Sequence, residues 1–195
     1  THPELVAQYY DQMISQRKDG TVLFNTAFAQ DGFFLYVPKN VCIERPIQII
    51  SVMHSTVPTL ANPRNLIVLE DGAQARVLVC AHTMDDLKFL SNRVTEVYVG
   101  RNAVYDHYKL ENSNVQSTSI SSLFIKQMGG SNVLVNDITL HNGLTRNNVT
   151  IDLTEEHCNT KLYGMAVMDG KKHVDNYTTL NHKVPQCTSQ ELYKY

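Results

Sequence analysis

The residues able to do covalent or metal chemistry are spread thinly along this chain. Its cysteines are Cys42, Cys80, Cys158 and Cys187, and its histidines are His2, His54, His82, His107, His141, His157, His173 and His182. None of the cysteines forms a Cys-x-x-Cys pair, and no His-Glu-x-x-His or Gly-x-Ser-x-Gly motif occurs. Gly129-Gly130 is not followed by Lys-Ser or Lys-Thr, which excludes a phosphate loop. Three local clusters remain. In His157-Cys158, neighbours on a strand face opposite ways, so Cys158 reads as a buried residue in an alanine-like slot and His157 as a turn residue. In Tyr105-Asp106-His107-Tyr108 the same alternation keeps Asp106 and His107 from forming a dyad. His182 and Cys187 flank Pro185, and a thiol and an imidazole five residues apart could meet there as a thiolate pair or a soft-metal site. The plainer alternative is a corner closing one repeat. His182, Cys187 and Cys158 are therefore the candidate metal ligands, and no catalytic or cofactor-binding residue is assigned.

The carboxylates raise a different chemistry. Polysaccharide lyases and hydrolases built on parallel β-helices align acids on one face. Asp31, Asp71, Asp85, Asp86, Asp106, Asp137, Asp152 and Asp175 fall at different phases of the repeat, and half of them abut Gly or Asn, where Asp is a turn former. A β-helix carbohydrate-active enzyme is kept as the alternative reading.

The elements that carry these residues are repeats. Glu70-Asp71-Gly72-Ala73-Gln74-Ala75-Arg76-Val77-Leu78-Val79 is a Gly turn leading into an alternating strand, and the same grammar returns at Gly100, at Gly129-Gly130 and, degraded, at Glu156. With Ala73, Ala103, Ser131 and Cys158 as equivalent starts, the steps are 30, 28 and 27. A second series lies between them at residues 93–99, 118–125, 147–153 and 174–180, with Val94, Ile120, Val149 and Val174 as its markers. Two interleaved series sharing one period imply a solenoid whose rungs each give one strand to each of two sheets. Few two-residue hairpin signals are present, which favours parallel stacking. Residues 21–25, 33–37, 47–53 and 65–69 read as earlier strands, and residues 84–90 as one helical turn in a corner.

The fold expected is all-β, a right-handed parallel β-helix (a two-sheet β-solenoid) with a short N-terminal helix. The hand follows the general preference of parallel crossovers. Residues 1–16 carry the helical pattern of Leu5, Val6, Tyr9, Tyr10 and Met13, with Thr1 as cap, Pro3 in the first turn and Glu4 at the positive end. Residues 1–19 then form a capping helix that shields the first rung, and residues 20–195 the β-helix core, cut at its C-terminal end.

The 195 residues suit one domain with a core, at 43% hydrophobic content. A formal net charge of −2 gives no footprint for nucleic acid, and no stretch approaches the ~20 apolar residues of a membrane span. No basic-then-apolar leader opens the chain. The cysteines read as free thiols of a reducing cytoplasm.

Several stretches resemble the SufB/SufD core family. These are Phe24-Asn25-Thr26-Ala27-Phe28, then Asp31-Gly32-Phe33 through Val37-Pro38-Lys39-Asn40, and then Glu44-Arg45-Pro46-Ile47. Arg146-Asn147, Gly164, His173-Val174-Asp175, His182, Pro185, Ser189, Leu192 and Lys194 are similar to later family positions. The likeness runs from Val22 onward, and the Glu44-Arg45-Pro46 segment is like the SufD branch. The resemblance implies a non-catalytic cytoplasmic scaffold for iron–sulfur cluster assembly. Its implied partners are a SufB-like subunit and a SufC-like ABC ATPase. It implies no cofactor held by this stretch itself, with a cluster carried only transiently on the intact complex. The exposed last rung is expected to self-associate.

Overall fold

The computed structural model describes residues 2–14 and 19–195. Two short helices precede thirteen strands among these residues: α1 (Pro3–Tyr9), α2 (Gly20–Phe28), β1 (Phe34–Val37), β2 (Ile47–Met53), β3 (Thr59–Ala61), β4 (Arg64–Leu69), β5 (Gln74–Thr83), β6 (Phe89–Val99), β7 (Val104–Asn112), β8 (Thr118–Gln127), β9 (Asn132–Thr139), β10 (Leu144–Leu153), β11 (Asn159–Ala166), β12 (His173–His182) and β13 (Thr188–Lys194). All pairings are parallel. One sheet runs β1-β4-β6-β8-β10-β12, with β3 also on β6, and the other runs β13-β11-β9-β7-β5-β2. Alternate strands in opposite sheets make a β-solenoid of about six turns.

One corner sets the period. Asn40, Gly72, Asn102, Gly130, His157 and Gln186 all adopt positive φ, between 56° and 68°. Each is therefore a left-handed residue that turns the chain from one sheet into the other. A Cβ on Gly130 would lie 2.3 Å from Asn102 Oδ1 of the rung before, so this stack of turns has no room for one there. The residues that follow, Ala73, Ala103, Ser131, Cys158 and Cys187, form a column tied by rung-to-rung bonds such as Val104 N–H to Ala73 O and Thr188 N–H to Cys158 O. The first sequence series is therefore in register. The second is not: Val94 pairs with Ser122, Ser122 with Asn148 and Asn148 with Tyr177. The apolar markers had been aligned by type, whereas this outward column is partly polar.

The helices differ more from expectation. Helix α1 stops at Tyr9, and Asp11 turns left-handed at φ 67°. The expected cap Thr1 and the helix end at residues 15–18 lie outside the described residues. Residues 21–25, expected as a strand, belong to helix α2. Asp19 caps it, its carboxylate accepting the Thr21 and Val22 N–H groups at 2.8 and 3.3 Å. The β-branched Thr21 and Val22 had suggested a strand, but the cap decides. Of residues 84–90, expected as a helical turn, 84–87 form bends and Phe89 and Leu90 open β6. The Asp85 carboxylate there accepts Ser55 N–H at 3.1 Å and Leu87 N–H at 3.3 Å.

Among the described residues, the N-terminal segment meets β1 through His2 on Tyr36. It lies along the outer face of the β4-β6-β8 sheet, where Ile14 and Val22 pack on Val94 and Phe124. Glu96, fully buried beneath it, accepts the N–H groups of Asp11 and Met13 and pairs with Arg64 at 2.7 Å. That carboxylate fixes the segment to the sheet face, which the alternation of a single strand does not reveal.

Candidate functional site

The solenoid interior is divided by corner. Towards the left-handed turns it is apolar: Ile67, Leu69, Val77, Val97, Val99, Ile125, Val135, Ile151 and Leu162 form one cluster. Towards the opposite corner the inward positions are polar. On β7 the inward residues run Tyr105, His107, Lys109, Glu111, every second residue, as a pleated strand requires. All four are buried. Lys109 Nζ donates to Asn147 Oδ1 at 2.6 Å and lies 3.3 Å from Asp137 Oδ2, its direct cross-strand neighbour on β9. Asn147 passes the chain on, its amide donating to Asn176 Oδ1 at 2.8 Å. Glu111 accepts Ser119 Oγ–H at 2.8 Å and the Asn142 amide at 3.1 Å. Among the described residues, Asp137 Oδ1 and the Tyr193 hydroxyl are enclosed without partners. Burial, with Lys109 and Arg93 nearby, lowers the His107 pKa to about 3, so the imidazole is neutral at ordinary pH. It sits 2.8 Å from the Tyr105 hydroxyl through Nδ1.

The column of Lys109 and Asp137 continues through Gly164 to Tyr193. A Cβ on Gly164 would lie 2.1 Å from the Tyr193 ring, so Gly164 is the residue that lets the ring lie over this strand.

A second grouping is made of thiols. Cys158 and Cys187 follow one another in the turn column. Their sulfurs lie 3.1 and 3.3 Å from the same Glu155 carbonyl oxygen. Cys158 is buried, and burial pushes its thiol pKa up, with the neighbouring Cys187 adding to the rise. Cys187 is half-buried. The sequence held this pair: one further step of 29 residues along the first series reaches Cys187.

Of the candidate metal ligands, His182 takes no part in this grouping. Its Nε2 lies 3.0 Å from Ser189 Oγ, whereas Cys187 turns to Glu155. Among the described residues no group of three or more His, Cys, Asp or Glu side chains converges as a metal site. Asp106 faces outward to Arg76 at 3.2 Å and His107 inward, as the alternation requires. The outward acids are also engaged, Asp152 with Lys183 at 2.9 Å and Asp175 with Arg146 at 3.7 Å.

The remaining singled-out positions hold the frame. The Asn25 amide, buried in α2, donates to Asn62 Oδ1, Pro63 O and Asn92 O at 2.8–3.2 Å. Asp31 bridges to Pro63 and accepts Arg64 N–H. A Cβ on Gly32 would strike the Arg64 carbonyl at 1.8 Å. Pro38 O accepts Val41 N–H in a turn. Pro46 immediately precedes β2, His173 opens β12, Pro185 sits in the bend before β13, and Lys194 ends that strand.

Comparison with known proteins places this geometry. A family model described as "SUF system FeS cluster assembly, SufBD core domain" matches residues 51–195, and one described as "SufBD protein N-terminal region" matches residues 1–49. An iron-sulfur cluster assembly SufBD family protein of Synechocystis sp. is 26% identical, covering 93% of this chain and 43% of its own length. The iron-sulfur cluster assembly protein SufD of Bacillus subtilis is 27% identical, covering 91% of this chain and 41% of its own. A SufBD family protein of Staphylococcus epidermidis is 24% identical, covering 95% and 40%. The chain thus spans less than half the length of these relatives. With its two-sheet solenoid and a core match over residues 51–195, the chain belongs to the SufBD core family of the SUF iron–sulfur cluster assembly system.

Proposed function

We propose that this chain is a scaffold subunit of iron–sulfur cluster assembly, of the SufD kind, working with a SufB-like subunit and a SufC-like ABC ATPase in the cytoplasm. The core-domain match over residues 51–195 carries the reading, and the likeness to the Bacillus SufD favours that branch. The protein is non-catalytic in this proposal, with nucleotide hydrolysis assigned to the ATPase partner.

The cysteines support a supporting role rather than a cluster-holding one. Cluster ligation takes about four thiolates close together. Here two converge, while Cys42 lies against Gln74 and Cys80 against Gln48 on other positions of the solenoid. We therefore propose that this stretch holds no stoichiometric cluster and that a cluster is cargo of the larger assembly. The last rung, β12 and β13, is proposed as a self-association edge.

The polysaccharide-enzyme alternative loses ground because four of the eight acids named for it are engaged, on both faces: Asp137 inside with Lys109, and Asp106, Asp152 and Asp175 outside with basic partners. The discriminating experiment incubates the protein with acidic glycans and, separately, with SufB and SufC homologues on beads. Capture without glycan cleavage is expected. Cleavage without capture reverses the assignment.

A further inference from the structure

Arg93 is buried at 7% exposure on β6 and faces the inside of the solenoid near its first rungs. The other two buried basic side chains have a carboxylate at ion-pair distance: Arg64 with Glu96 at 2.7 Å, Lys109 with Asp137 at 3.3 Å. Arg93 has none among the described residues. A guanidinium carries five N–H donors in a planar fork. That of Arg93 uses one group, donating from Nη2 to Ser51 Oγ at 3.1 Å. Glu111, whose charge acts on Arg93, is not at ion-pair distance from it, and its two oxygens accept from Ser119 and Asn142. Burial lowers the Arg93 pKa, but an arginine keeps its proton at any ordinary pH. A buried, charged and underbonded fork is costly unless something anionic meets it.

The space for such a group is present. Arg93 lines a cavity of about 640 Å³ between β2, β3 and residues 30–33. Ser51 and Ser91 lie beside it as hydroxyl donors, and Phe33, Ile49, Leu60 and Val79 supply apolar wall. The Arg93 side chain thus shares the cavity with both hydroxyl and apolar groups. A guanidinium fork and an apolar wall in one cavity suit one kind of ligand, an anionic head on a short apolar body.

We propose that this cavity is a binding site for a small amphipathic anion, a carboxylate or phosphate monoester with an aliphatic tail, held at its head by Arg93 with Ser51. The proposal is independent of the role of the protein in cluster assembly.

The test is titration of the protein by calorimetry with four probes: hexanoate, hexyl phosphate, hexanol and inorganic phosphate. Hexanoate or hexyl phosphate should bind at least tenfold tighter than hexanol and than inorganic phosphate, the better of the two identifying the head group. Arg93→Gln should weaken that binding by roughly tenfold or more, the scale of a lost charge-assisted hydrogen-bonded contact. Leu60→Trp, which fills the cavity from its partly exposed rim, should do the same and serves if Arg93→Gln does not fold. Binding of hexanol as tight as hexanoate, unchanged binding in a folded Arg93→Gln or Leu60→Trp protein, or no binding of either amphipathic anion overturns the proposal.

Discussion

The sulfurs of Cys158 and Cys187 share one acceptor, the carbonyl oxygen of Glu155, at 3.1 and 3.3 Å. Adjacent strands lie about 4.8 Å apart, and disulfides bridge Cα atoms about 4.4–6.8 Å apart, so these two positions are within reach. The thiolate of the half-buried Cys187 should attack oxidised glutathione first, releasing one glutathione, and the Cys158 thiolate should then attack that mixed disulfide and release the second. The two thiols lose two protons and two electrons, and the glutathione disulfide is reduced. Mass spectrometry is expected to show a loss of two mass units and a Cys158–Cys187 peptide. Crosslinks to Cys42 or Cys80 instead would contradict the column.

Lys109 and Asp137 make a second test of the interior. Lys109→Met leaves the Asp137 carboxylate buried and unpaired, and should cost about 3–5 kcal/mol in urea unfolding. Lys109→Met combined with Asp137→Leu should recover most of that loss, since two apolar groups replace a matched pair. A loss in the double variant equal to the sum of the Lys109→Met and Asp137→Leu losses would mean that the pair is not coupled.

His107 sets a pH dependence. Its folded pKa of about 3 lies below the unfolded value of about 6.5, so the native state binds fewer protons than the unfolded state between those values. The stability this neutral imidazole allows is complete above about pH 6.5 and falls as the pH drops towards 3. Between pH 7 and 5 the loss should be about 2 kcal/mol, from about 1.4 kcal/mol per pH unit for one proton. His107→Gln should flatten that part of the curve. An unchanged slope in the variant would show that other groups cause the acid loss.

How far the chain could be read depended on what each turn was made of. Gly72, Asn102 and Gly130 are residues that take positive φ easily, so they announced their corners and put Ala73, Ala103, Ser131 and Cys158 in register. Gln186 turns the same way without belonging to that class, and the series was therefore stopped one step before Cys187. The outer column Val94, Ser122, Asn148 and Tyr177 changes from apolar to polar and gave no marker to follow. Helix α2 was hidden by the β-branched pair Thr21 and Val22, although Asp19 stood in the capping position. The polar half of the interior was not legible, because Lys109, Glu111 and Asp137 look like surface residues until their partners across the rungs are known.

The last rung offers a further check. Strands β12 and β13 end their sheets, and Tyr177 and Leu192 are exposed at 60% and 50%. Unpaired edges of this kind invite pairing between copies. Light scattering of the chain at rising concentration should show a mass above that of a monomer, reduced by Tyr177→Lys or Leu192→Pro. A monomer at high concentration would show that the edge does not pair.

Co-purification tests the central claim most directly. The protein, tagged and co-expressed with the SufB and SufC homologues of its own organism, should bring both through affinity and size-exclusion steps in one peak. Polysaccharide-active β-helix proteins should bring neither. A tagged protein that elutes alone, with both homologues expressed and soluble, would contradict the assignment as an assembly scaffold.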